Sequence, residues 1–277
     1  MQTRFATTED EVRIAYEVRD ADAPAAADWV LLIHGLGYAR WGWEPVVDDL
    51  QRRLRVVLFD NRGIGESDVP EGPYTARQMA GDALAVLDDA GIDAAHVIGT
   101  SLGGMIAQEL ALLAPDRVDR LVLVASTPGG ERAHPMPQVT QDLIARMPEM
   151  APEEALREAI ANALTDETVA GRPEVVERIL HHRTSNPQDP AGWQAQAAAG
   201  TGYDGGERLA DIAAPTLVLH GDQDVVVAPG NAAVLAELID DSRVEIVEGT
   251  GHLLFWERPD HFVALVTDFL GSPADAR

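Results

Sequence analysis

HVIGTSLGG, running from His96 to Gly104, is the stretch from which the rest of the chain can be read. A short apolar run, Val97 and Ile98, stops at Gly99, and Ser101 then sits between two glycines in the order G-x-S-x-G. A helix-like run, Leu102 to Leu113, follows at once. The order of strand, tight turn and helix matters more than the five-letter match, because Gly and Ser are common turn residues. At a sharp strand-to-helix turn a serine takes a strained backbone conformation that lifts its hydroxyl above the sheet edge. Gly99 and Gly103 carry no Cβ, so neighbouring backbone can come close to the bend. The helix N-terminus behind it aims unpaired N–H groups at any negative charge that develops there.

On the N-terminal side, residues 1–18 alternate weakly through Val12, Ile14, Tyr16 and Val18, which predicts a half-buried antiparallel pair at a sheet edge. WVLLIH (Trp29 to His34) and RVVLFD (Arg55 to Asp60) are continuous apolar runs, the mark of strands covered on both faces. A helix from about Pro45 to Arg53 lies between them. Thr75 with Gln78 reads as a capping box that opens a helix ending at Gly91, with Ala80, Ala83, Leu84 and Leu87 on its apolar stripe. Asp82, Asp88 and Asp89 are expected to face water. After the Ser101 helix comes another buried run, LVLVAS (Leu121 to Ser126). Buried strands alternating with amphipathic helices imply an α/β fold with a doubly wound, mostly parallel sheet.

That rhythm breaks between Thr127 and about Ile212. Pro152-Glu153-Glu154 and Pro173-Glu174 place proline and acids in first turns, and Leu156, Ile160, Ala163 and Leu164 form an apolar face. This predicts an inserted helical cap over residues 128–210, with the core domain made of 1–127 and 211–277. From Pro215 the alternation resumes with TLVLHGD, a helix Asn231–Leu238, the strand RVEIVEG and a last helix Pro259–Leu270.

A chain of 277 residues suits one α/β domain with an insertion, or two small domains. No cysteine is present, which excludes disulfides, thiolate catalysis and Cys-ligated zinc. The 46 acidic residues against 21 basic ones give a net charge of −25, a surface that repels nucleic-acid phosphates and anionic lipid. Neither nucleic acid nor membrane is therefore an expected partner; the expected partner is a small molecule, and oligomeric state is not legible. The start of the chain lacks the basic and apolar segments of a secretory signal, so cytoplasmic residence is expected. Every basic residue is arginine. Coding bias accounts for that, and adaptation to high salt is the alternative.

In open parallel sheets, functional groups gather on loops at the carboxyl ends of strands. Here those loops are 34–43, 60–68, 99–104, 220–229 and 248–254. A serine hydroxyl is a weak nucleophile; it needs a base within hydrogen-bond reach and an acid to orient that base. Ser101, Asp224 and His252 are available in that chain order. His252 follows the last strand in a loop that Gly249 and Gly251 allow to be exposed, while His96 is expected to precede its strand and His220 to be a satisfied structural group. Asp222 suits a local turn bond and Asp224, further out, suits the histidine. The backbone N–H groups of Leu36 and Leu102 are the candidates for an oxyanion hole. Tyr38, Trp41, Met105, Trp193 and Leu253 are candidate substrate contacts, with loop packing the alternative for the aromatics. Asp60 and Arg62 are expected to pair as a structural turn. No metal or organic cofactor is called for.

HGLG, DNRGIGES, GTSLGGMIAQ, LVLHGDQD and GTGHLLF occur in this order nearly end to end. In them the chain resembles the α/β-hydrolases, and is similar to the bacterial subgroup of carboxylesterases, enol-lactonases and cofactor-free haloperoxidases. The resemblance implies a Ser101–Asp224–His252 triad, Leu36 and Leu102 as oxyanion amides, and a variable cap that decides the substrate. A serine at the elbow argues against the dehalogenase branch, which uses an aspartate there. Ester hydrolysis is the expected reaction. Lactone or enol-lactone hydrolysis and perhydrolysis use the same triad, and a non-catalytic binding protein is the reading from a different class.

Overall fold

The computed structural model describes residues 2–20, 23 and 27–271. Strands β1 (Arg4–Thr7) and β2 (Arg13–Arg19) form an antiparallel pair with Arg4 opposite Tyr16. Then come β3 (Trp29–Ile33), α1 (Glu44–Leu50), β4 (Arg55–Phe59), α2 (Ala76–Asp89), β5 (Ala95–Thr100), α3 (Leu102–Leu113) and β6 (Val118–Val124). Five helices follow without a strand between them: α4 (Gln138–Arg146), α5 (Pro152–Asn162), α6 (Asp166–Gly171), α7 (Pro173–Ser185) and α8 (Pro190–Thr201). The alternation closes with β7 (Thr216–Gly221), α9 (Gly230–Leu238), β8 (Ser242–Val247), α10 (Leu254–Glu257) and α11 (Pro259–Gly271).

The eight strands make one sheet in the order β1-β2-β4-β3-β5-β6-β7-β8, parallel from β4 to β8. Because side chains alternate along a strand, each buried strand feeds two cores. Leu31, Ile33, Val97, Leu121, Leu123 and Val218 pack with α2, α3 and α9 on one face. Val30, Leu32, Ile98, Val122, Leu217 and Leu219 pack with α1, α10 and α11 on the other. The chain leaves β3 for β4 on one side and returns for β5 on the other, so order reverses there. The carboxyl ends of β3 and β5 consequently lie side by side, with Ile33 opposite Gly99, at the place where such sheets open a crevice.

The inserted helices lean on both cores. Ile160, Ala163, Leu164, Val176, Ile179 and Leu180 join the cluster of Trp43, Leu253 and Phe255. Ala195 and Ala199 of α8 join the cluster of Leu102 and Met105. The apolar faces of α5, α7 and α8 are therefore spent against the sheet's carboxyl edge and its helices, whereas Val139 and Ile144 of α4 stay exposed.

Three local expectations are corrected. Asp82 does not face water: it is 1% exposed and accepts Arg62 Nε at 2.6 Å. Asp60 and Arg62 do not pair, because they leave the turn on opposite sides. Asp60 turns inward to accept the N–H groups of Arg40 (2.7 Å) and Glu66 (2.9 Å), while Arg62 reaches α2 and Asp10. His96 does not precede its strand; it lies within β5 and is buried.

Candidate active site

Ser101 joins β5 to α3 at φ 54° and ψ −119°, a left-handed backbone that a residue with a Cβ rarely adopts. Such strain is on the order of 1–3 kcal/mol and persists only where the surroundings hold it. Here the Ser101 N–H donates to the Val124 carbonyl at 2.9 Å, and its own carbonyl accepts Ser126 Oγ and the Gly104 N–H, both at 2.9 Å. The glycines matter as close approaches: a Cβ on Gly103 would sit 2.1 Å from the Ile33 carbonyl oxygen, and one on Gly99 2.3 Å from that of Gly103. The loop after β3 touches the serine as well. A Cβ on Gly35 would lie 3.0 Å from Ser101 Cβ and 3.6 Å from its Oγ. The amide groups of Leu36, beside that contact, and of Leu102, at the head of α3, have no acceptor among the described residues.

Asp224 and His252 come from the loops after β7 and β8, neighbouring parallel strands. His252 Nδ1 lies 2.8 Å from Asp224 Oδ2, and both residues are buried. The Asp224 Oδ1 accepts the N–H groups of Val226 (2.8 Å) and Val227 (2.9 Å). Burial pushes the Asp224 carboxyl up, but the facing His252 and the bond from His220 outweigh it and hold it well below the usual carboxylate range. Asp222 does not bond its own turn, as expected of it; its Oδ1 reaches across to the N–H groups of Gly249 (2.7 Å) and Thr250 (3.3 Å). Asp222 therefore ties the β7 loop to the start of the histidine loop.

Glu257 secures that loop from the other end. Its Oε2 accepts the Gly251 N–H at 2.5 Å, and its Oε1 accepts Thr165 N–H (2.7 Å) and Oγ1 (2.8 Å). The Leu253 N–H donates to the Ala163 carbonyl at 3.0 Å. His34 lies next to Gly35 and feels the charge of His252; burial lowers it to about 3, so it is neutral near pH 7.

Among the candidate substrate contacts, Tyr38 stacks on His34 with ring centroids 4.7 Å apart. Met105 and Leu253 are buried beside Ser101's helix and the histidine loop. Trp41 stacks on His182 of α7 at 4.8 Å and borders a separate groove of about 480 Å³, whose lining includes Arg40, Glu44 and Asp60 but not Ser101, Asp224 or His252. Trp193 is 41% exposed on the outer side of α8. Sequence reasoning did not single out Glu257 or Gln196. Gln196 is fully buried, donates from Nε2 to the Arg62 carbonyl at 2.7 Å and accepts the Gly37 N–H at 3.5 Å. No spacing in an alanine-rich helix marks it. Among the described residues no group of three or more His, Asp or Glu could hold a metal ion, and no helix is long and apolar enough to cross a membrane.

An eight-stranded sheet, a strained serine at a strand-to-helix elbow and a buried aspartate–histidine pair on later loops define a class, and residues 28–259 match the α/β hydrolase fold family. The chain belongs to that family. RutD of Azorhizobium caulinodans, provisionally named a carbamate hydrolase, is 32% identical over 92% of this chain and 94% of its own. Esterase RhEst1 from Rhodococcus sp. ECU1013 superposes with a TM-score of 0.86 at 29% identity, covering 99% of this chain and 100% of that one. The enol-lactonase of Burkholderia xenovorans LB400 superposes with a TM-score of 0.83 at 27% identity, covering 97% and 100%.

Proposed function

We propose that the chain is a serine hydrolase that cleaves carboxylic esters through an acyl-enzyme, with Ser101 as nucleophile, His252 as general base and Asp224 as its orienting acid. The observation that carries this reading is the bond between His252 Nδ1 and Asp224 Oδ2. An ionised carboxylate only accepts, so Nδ1 holds the hydrogen and Nε2 keeps the lone pair a base needs. In this mechanism His252 takes the proton of Ser101, and the alkoxide attacks the ester carbonyl. The N–H groups of Leu36 and Leu102 stabilise the tetrahedral oxyanion, each contributing about 3 kcal/mol. His252 then protonates the departing alcohol. Water, deprotonated by the same histidine, attacks the acyl-enzyme, releases the acid and restores Ser101.

Residues 128–210 serve as the cap that selects the ester. The support is their attachment: α8 packs on Leu102 and Met105, and the segment after α5 bonds the Leu253 N–H. Tyr38, Met105 and Leu253 are the nearer substrate contacts, and Trp41 and Trp193 the more peripheral ones. Lactone or enol-lactone hydrolysis is the second reading, favoured by the likeness to the Burkholderia enol-lactonase.

Labelling with a fluorophosphonate tests the nucleophile. The wild-type chain labels, and Ser101→Ala loses both label and ester turnover, the latter by at least ~10⁴-fold. Absence of Ser101-dependent labelling points instead to a binding protein of this fold. A panel of p-nitrophenyl esters of rising chain length, run beside lactones, separates esterase from lactonase.

A further inference from the structure

His220 closes β7 and is completely buried. Its Nε2 lies 3.0 Å from the Val227 carbonyl oxygen and 3.1 Å from Asp224 Oδ2. Both partners accept, so Nε2 carries hydrogen: its N–H bonds the Val227 carbonyl, and Asp224 Oδ2 lies within 3.1 Å of the same nitrogen, close enough to feel its positive end. Its Nδ1 is equally buried and has no hydrogen-bond partner among the described residues. Nδ1 therefore has nothing to donate to, and the geometry assigns the ring's hydrogen to Nε2. Asp224 Oδ2 is thus shared by two imidazoles, His252 at 2.8 Å on the site side and His220 on the sheet side.

Resting on the triad reading above, we propose that His220 is a positioning residue for the Asp224–His252 pair. Its Nε2–H, together with the Val226 and Val227 amides, leaves the carboxylate one orientation. It also draws off part of the negative charge on the oxygen that His252 uses. An imidazolium at His252 is stabilised by that charge, so sharing it keeps His252 less basic than Asp224 alone would make it. Other groups bear on His252 from different sides. His34 faces it from the β3 loop, Glu257 of α10 binds the preceding Gly251 N–H, and the charge of Arg183 on α7 reaches His34. None of these three touches Asp224 Oδ2 among the described residues.

The test is the pH profile of the fluorophosphonate labelling rate of Ser101, which reports the base without requiring the natural substrate. His220→Leu removes the donor, and His220→Gln keeps an N–H at similar reach. In His220→Leu the acid limb moves to higher pH by about half a unit or more, because a more basic His252 is protonated sooner as pH falls. The plateau rate drops on the order of tenfold. His220→Gln returns the limb close to that of the wild type. An unshifted limb in a folded His220→Leu protein, with only a lower melting temperature, overturns the proposal and leaves His220 structural. Histidine ¹⁵N spectra of the wild-type protein give a check that needs no variant to fold. A neutral Nε2–H ring at His220 across the labelling pH range is expected, and an Nδ1–H or doubly protonated ring overturns the proposal. If the wild type does not label at Ser101, the triad reading fails first and this one falls with it; labelling without a limb shift sinks this one alone.

Discussion

Asp222 and Asp224 lie two positions apart in the loop after β7, yet their carboxylates hold different groups. Asp224 bears on His252, whereas the bonds of the Asp222 carboxylate among the described residues go to backbone N–H groups of the next loop. Asp224→Asn is expected to cut turnover by about 10⁴-fold with little change in fold, since an amide can present a donor to Nδ1 and set the wrong tautomer. Asp222→Asn is expected to keep most activity and lose about 1–2 kcal/mol of stability, that of a charge-assisted bond. Parallel kinetics and urea unfolding decide between them, and loss of activity only in Asp222→Asn would reverse the assignment. His34 supplies a pH test. Its folded value of about 3 lies below the ordinary 6.5, so between these values the unfolded chain takes up a proton that the folded one refuses. Stability from this group is complete above pH 6.5 and drains as pH falls towards 3. The loss between pH 6.5 and 5 is about 2 kcal/mol. His34→Phe, which keeps an aromatic ring against Tyr38, Trp43 and Phe255, is expected to flatten that part of the pH–stability curve. Urea titrations at pH 7, 6 and 5 measure it.

At the scale of elements, the histidine loop is strung between two carboxylates, Asp222 at its start and Glu257 at its end. Glu257 binds the loop and the inserted helices at once, through Gly251 and Thr165. Glu257→Gln keeps the shape but replaces two-sided acceptance with one donor and one acceptor, leaving one buried N–H unpaired. The expected loss is about 2–3 kcal/mol, with faster hydrogen exchange at Gly251 and Thr165. Unchanged exchange at both amides would contradict that role. The elements themselves were largely legible, because α3 follows its glycine turn over Leu102–Leu113 and Thr75 caps α2 by accepting the Gln78 N–H. What escaped were partners across the fold. Asp82 sits on a helix whose spacing leaves it on the polar side, and only the approach of Arg62 from another turn buries it.

For the whole molecule, the excess of carboxylates is the dominant electrostatic fact. Arginines are engaged on many sides, as Arg132 is with Glu207 and Glu237 and Arg157 is with Glu177. Yet 46 acids cannot be matched by 21 arginines. Added salt shortens the reach of the unmatched repulsion from about 10 Å at 0.1 M to about 3 Å at 1 M. If the composition is a salt adaptation, the melting temperature rises on the order of 5 °C over that range. A flat response assigns the arginine-only, acid-rich composition to coding bias.

The amino-acid sequence by itself determined the alternation of buried strands and helices, the elbow at Ser101 and the order in which serine, aspartate and histidine occur. Those features depend on neighbours in the chain: periodicity, glycines that permit a bend, and a cap three residues from its partner. Only the tertiary structure decided which carboxylate meets which partner. It sent Asp60 to Arg40 rather than Arg62, laid Asp222 on the next loop's backbone, set His220 and His252 on one oxygen of Asp224, and drew Glu257 between the inserted helices and the histidine loop. Burial is the reason. A buried polar group must find a partner, and which partner is near depends on how distant strands and loops come together, which local spacing does not encode.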